Sequence, residues 1–144
     1  MLYNIIQSDD YKQLTSKQIK ELIVFLKNND EEFNISVNID GVKFNPEIPQ
    51  SIKSKFTQFT IFALANFTFE SLKVEQDSIS FEAGFGEENF GSICTIPYYA
   101  IFQVSVDNSI LFINPTATVE KYFTPEIDED EQAKRSFNAF KKLK

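Results

Sequence analysis

The chain has 144 residues, 42% of them hydrophobic, with sixteen phenylalanines and a formal net charge of -7. That length and apolar content suit one folded domain with a sizeable core and exclude a disordered chain. The acidic balance disfavours nucleic acid as principal partner, because that affinity rests largely on Lys and Arg releasing counterions, and the absence of histidine removes Ser/His/Asp and Cys/His catalysis together with the commonest zinc ligand.

No apolar run approaches the roughly 20 residues that span a bilayer, and the opening MLYNIIQSDDYK lacks the basic and apolar regions of a secretory signal. A lone cysteine cannot staple a fold, so a reducing, cytoplasmic setting is expected.

Residues 2–6 fit either a strand or a turn of helix. Thr15 stands three residues before Gln18, a capping-box spacing, and Ile19, Leu22, Ile23 and Leu26 then share one helical face. A helix of about three turns is expected to start there and end near Asn28 and Asn29. From Phe33 the period becomes two. Phe33, Ile35, Val37 and Ile39 alternate with Asn34, Ser36, Asn38 and Asp40, the pattern of a half-buried strand. Asp40-Gly41 signals a turn into Val42 and Phe44, and Pro46 and Pro49 forbid regular pairing beyond it. Residues 51–55 read as a surface loop. Strand character returns in Phe59, Ile61 and Ala63, continues weakly past Asn66, and resumes in Leu72 and Val74 before a Gln76-Asp77 turn.

Residues 79–101 predict a hairpin. Ile79, Phe81, Ala83 and Phe85 alternate with Ser80, Glu82 and Gly84, and a second strand covers residues 91–96. Gly84 and Gly86 leave the first strand's end without side chains, a common mark of a bulge or of a close backbone approach. Pro97 suits the first position of a short helix through Tyr98, Ala100 and Ile101. Residues 110–113 read as one more strand, stopped by Asn114-Pro115. One helix followed by short strands predicts an α+β domain: an N-terminal helix packed on a curved antiparallel β-sheet or small open β-barrel. Composition shifts after Thr124, so residues 1–124 are read as the domain and 125–144 as an acidic linker and basic tail.

Candidate chemistry is sparse. Glu126, Asp128, Glu129, Asp130 and Glu131 lack the glycine and ligand spacing of a calcium loop and read as a solvated linker. Cys94 lies between Ile93 and Ile96 with no histidine to activate it, which predicts a buried structural thiol. The acceptor patterns at Asn34 and Asn66 have no secretory context. Gly84-Phe85-Gly86 lacks the helix entrance of a dinucleotide site. No catalytic residue, metal or cofactor is expected.

The order of elements resembles the SspB adaptor proteins, which hand tagged substrates to the ClpXP protease. The landmarks are LIVFLKNN at residues 22–29, FNISVNIDGVKFNP at 33–46, FTIFALANFTFESL at 59–72 and ISFEAGFGEENFGSICTIPYYAIF at 79–102. The resemblance implies a largely β domain preceded by a helix, homodimers formed through the helix region, and a groove for the ssrA degradation tag. It assigns the groove to Leu64, Ala65, Phe67, Thr68, Phe81, Ala83, Gly84, Phe85 and Gly86, with core packing as the competing role of Phe81 and Phe85. It also assigns docking on the ClpX unfoldase to Phe140, Lys141, Lys142, Leu143 and Lys144. Read for periodicity, the same tail offers Ala133, Phe137, Phe140 and Lys144 as one face of a helix packed on the domain or on a second subunit.

The chain departs from the family in two places. Gly86 is followed by Glu87-Glu88 instead of a second glycine, and the linker is short, about ten residues with a root-mean-square reach of roughly 18 Å. A generic interaction or immunity-type domain that binds a folded partner is the competing functional class.

Overall fold

The computed structural model describes residues 2–124. A short helix, α1 (Leu2–Ile6), leads into α2 (Asp9–Asn28). The long helix starts earlier than the Thr15 spacing implied. Ser8, in extended backbone, accepts a hydrogen bond from the Tyr11 N–H at 3.2 Å, and Asp9 and Asp10 occupy the first turn, where the helix dipole favours carboxylates. Thr15 is buried inside the helix. Its hydroxyl lies 3.0 Å from the Tyr11 carbonyl oxygen and 3.3 Å from the Thr116 hydroxyl, so it makes a tertiary contact instead of a cap. Ile19, Ile23 and Leu26 bury the expected face, and the helix ends at Asn28.

Eight strands follow: β1 (Phe33–Asn38), β2 (Lys43–Asn45), β3 (Phe59–Leu64), β4 (Lys73–Val74), β5 (Ser78–Phe85), β6 (Phe90–Pro97), β7 (Ile101–Val106) and β8 (Ser109–Ile113). They form two antiparallel four-stranded sheets, ordered β3-β1-β7-β8 and β2-β6-β5-β4. The α+β class holds, but the strands split into two sheets and do not close into a barrel. The split begins where Ile39 leaves β1 for a 3-10 turn (Ile39–Gly41) that carries the chain over to β2 in the other sheet.

The two sheets share one core. In the first, the cross-strand row Phe62–Ile35–Val104–Phe112 faces inward; in the second, the row Phe44–Cys94–Phe81 does. Phe62 bridges them, its ring centroid 5.7 Å from that of Phe81 and 6.3 Å from that of Phe85.

Four local expectations change. Residues 51–55 are not simply a loop, because α3 (Gln50–Lys53) forms there after Pro49. In β3 the buried residues are Phe62 and Leu64, while Ile61 and Ala63 face outward. Strand pairing does not continue past Asn66; the chain turns into α4 (Asn66–Glu70), with Asn66 at φ 54°, a left-handed conformation that asparagine tolerates. Ile101 opens β7 after a 3-10 turn (Tyr98–Ala100) that stops one residue earlier than expected.

Asn114 locks the end of β8. Its side-chain amide donates to the Ile101 carbonyl oxygen (3.1 Å), and its side-chain oxygen accepts from the Thr116 N–H (3.2 Å), all fully buried. Asn114→Ala strands both partners and is expected to cost about 1–3 kcal/mol, read as a lower urea midpoint at unchanged m-value.

Candidate functional site

Strand lengths create the site. β6 pairs with β5 along its whole length, whereas β4 meets β5 only at Ile79 and Ser80. From Phe81 onward, that edge of β5 has outrun its neighbouring strand. Ser71, just after α4, fills the first position: its hydroxyl accepts the Glu82 N–H at 2.9 Å and lies 2.8 Å from the Thr68 carbonyl oxygen. Antiparallel alternation turns the peptide group of Gly84, two residues on, toward the same side. Among the described residues nothing pairs with Gly84 there.

A groove of about 590 Å³ lies at this unpaired edge. One wall is residues 65–68, fixed where the Glu32 carboxylate accepts the Asn66 N–H at 2.6 Å. The floor is the cross-strand row Asn45–Ile93–Glu82 and the pair Gly91–Gly84. Phe67 and Ile93 are 62% and 42% exposed, so two large apolar side chains stand open beside neutral amides and hydroxyls. Glu82 is the one charged residue of the lining.

The expected site residues separate into two groups. Ala65, Phe67, Thr68, Ala83 and Gly84 come together around the groove. Leu64 and Phe81 are in the core, at 0% and 1% exposure, and Phe85 packs its ring against Phe44, Phe56 and Phe62 beneath the strand end. Gly86 has φ +73° and begins the β5–β6 turn, where a side chain would be strained whatever the space. Phe140, Lys141, Lys142, Leu143 and Lys144 lie outside the described residues, as do the acidic run and the tail positions read as a helix face.

The two groove glycines differ. A Cβ at Gly84 would fall 1.7 Å from the Asn89 side-chain oxygen, so a larger residue there must push Asn89 aside. A Cβ at Gly91 would meet nothing within 4 Å. Asn45, Pro46, Asn89, Gly91, Ser92 and Ile93 line the groove without having been expected. Hairpin register could have found Gly91 and Ile93, which face Gly84 and Glu82.

A second hollow, of about 640 Å³, holds Asp30, Glu31, Glu32, Glu70 and Asp107 beside Lys27 and Phe69. Its carboxylate lining offers an apolar peptide side chain little. Cys94 is fully buried, and burial pushes its thiol up to about 12, which removes it as a nucleophile at neutral pH. No helix among the described residues is long and apolar enough to cross a membrane. No protein-family model and no curated protein matches this chain.

Proposed function

We propose that this chain is a non-enzymatic cytoplasmic adaptor that holds an unstructured, ssrA-type degradation tag in the groove and docks on the ClpX unfoldase through its C-terminal residues. The observation carrying this reading is the unpaired edge of β5 at Gly84, set between the exposed side chains of Phe67 and Ile93. An extended peptide needs free backbone groups to pair with, shallow apolar rests for alternate side chains, and a floor on which its backbone can lie close. The groove has all three. Tethering then turns modest tag affinity into an encounter at an effective concentration on the order of millimolar, so micromolar capture suffices and release stays fast.

Titration of a fluorescent ssrA-type peptide tests the reading. Binding is expected at micromolar strength, weakened about tenfold by Phe67→Ala through loss of an exposed anchor. Gly91→Leu, which fills the groove from open space, is expected to abolish binding while leaving the circular dichroism spectrum unchanged. No binding by the wild-type chain at high micromolar peptide would overturn the proposal.

A further inference from the structure

We propose that the groove selects peptides that carry a basic residue, a Lys or Arg whose charge is received by Glu82. The inference rests on the peptide-binding reading above and names the class of tag taken. Glu82 is the one charged residue of the lining, and it is exposed. Among the described residues its carboxylate has neither a hydrogen bond nor an ion pair; the ion pair present is Lys53–Glu47. Lys73, opposite Ser80 in the neighbouring row, stands diagonal to Glu82 without pairing with it. The Glu82 N–H is held by the Ser71 hydroxyl at 2.9 Å, so the residue is fixed in place while its charge is left over.

The neighbour across the strands decides which ligand that charge suits. Register sets Ile93 directly opposite Glu82, with Cβ atoms about 5 Å apart. Ile93 is 42% exposed, and beside it Gly91 leaves open space, since a Cβ there would meet nothing within 4 Å. An apolar platform that ends at a carboxylate matches a Lys or Arg side chain, whose aliphatic stem lies along apolar surface while its head meets an anion. A peptide residue paired with Gly84 is diagonal to Glu82, about 7 Å off, a span that a long basic side chain covers.

The surroundings carry the same sign. Glu87 and Glu88 are exposed in the turn that closes the strand end, and behind α4 the Glu32 and Glu70 carboxylates line the acidic hollow. A peptide entering from either side meets carboxylates. An acidic tag is therefore repelled where a basic one is drawn, and selectivity comes from the repulsion as much as from the attraction. Phe67 supplies affinity for any apolar residue; Glu82 chooses among the sequences that carry one.

Titration of the full chain with a set of short peptides tests this. Each is built of Ala, Asn, Leu and Tyr with blocked termini and an uncharged fluorophore, and a single Lys, Gln or Glu is walked along it. One position is expected at which, at low salt, Lys binds about threefold tighter than Gln and Glu about threefold weaker, the size of an exposed charge pair. High salt should shrink both differences. Glu82→Gln is expected to flatten the response at that position and Glu82→Lys to reverse it, with little change in the urea midpoint. Ile93→Thr, which keeps the β-branched shape, is expected to reduce the advantage of Lys over Gln there. A Lys advantage spread evenly over all positions, or one that persists in Glu82→Gln, overturns the proposal, because the net charge of -7 alone then attracts the peptide. Binding that ignores the peptide's charge overturns it and leaves the groove reading standing. No binding by any peptide overturns the groove reading itself, and the selectivity with it.

Discussion

Phe62→Ala is expected to destabilise the fold by about 3–5 kcal/mol. Phe62 is 5% exposed and is the ring through which β3 touches both Phe81 and Phe85 of the opposite sheet. Truncation removes its apolar surface and leaves a cavity between two sheets, each braced by its own strand pairing and therefore slow to collapse into the space. For a domain whose whole stability is of order 5–15 kcal/mol, this is a large fraction. Urea unfolding at constant temperature is the measurement, and the midpoint should fall with little change in slope. Phe62→Leu, nearer in volume, is expected to recover most of the loss. Because Phe85 leans on Phe62 beneath the open end of β5, the alanine variant should also bind peptide more weakly, even where it remains folded.

Raising the pH from 9 to 12 is expected to remove several kcal/mol of stability, about 4 through Cys94 and about 3 through Tyr98. Burial pushes the Cys94 thiol from 9.0 up to about 12. Burial first, then the nearby carboxylates of Glu75 and Asp77, push the Tyr98 phenol from 10.0 up to about 12. The unfolded chain therefore loses the thiol proton above about 9 and the phenol proton above about 10, while the folded chain keeps both until about 12. Across that window the unfolded state binds fewer protons, so stability falls as pH rises, by about 1.4 kcal/mol per pH unit for each group. Below pH 9 neither group makes stability depend on pH. Urea midpoints measured from pH 7 to 11 should stay flat with respect to these two groups and then drop. Cys94→Val should begin its drop about one pH unit later, when only the phenol remains. Native Cys94 should also resist alkylation at pH 8 and react freely in urea; rapid native alkylation would contradict the buried thiol.

What could be read from the residues depended on how local the deciding contacts were. β1 was legible because Phe33, Ile35 and Val37 alternate with polar side chains, and a half-buried strand has that period by geometry. In β3, Phe59 and Ile61 compete with Phe62 and Leu64, so both faces look apolar and only packing against Phe81 decides which turns inward. Thr15 showed a cap spacing that any helix can contain by chance, while Ser8 followed by two aspartates marked the true start. β7 was hidden behind the Pro97 turn, its mixed sequence IFQVSV giving no clean alternation. The division into two sheets follows from pairings between distant residues, such as Phe44 with Cys94, which local periodicity does not encode.

The groove shows the same division. Ala83 and Gly84 could be placed from the hairpin itself, and Ala65, Phe67 and Thr68 from the resemblance of the neighbouring stretch. Asn45 and Pro46 arrive through β2–β6 pairing across more than forty residues of chain, and nothing near them announces a site.

The mismatch in length between β4 and β5 has a consequence for whatever peptide lies there. Ser71 already answers Glu82, so the vacancy in the sheet is short, centred on the single peptide group of Gly84. A ligand can be gripped over only a few residues before the turn at Gly86 ends the strand. On the reading proposed above, most of a bound tag would stay unclaimed and open to a second reader, so that handing a substrate over need not begin with letting it go.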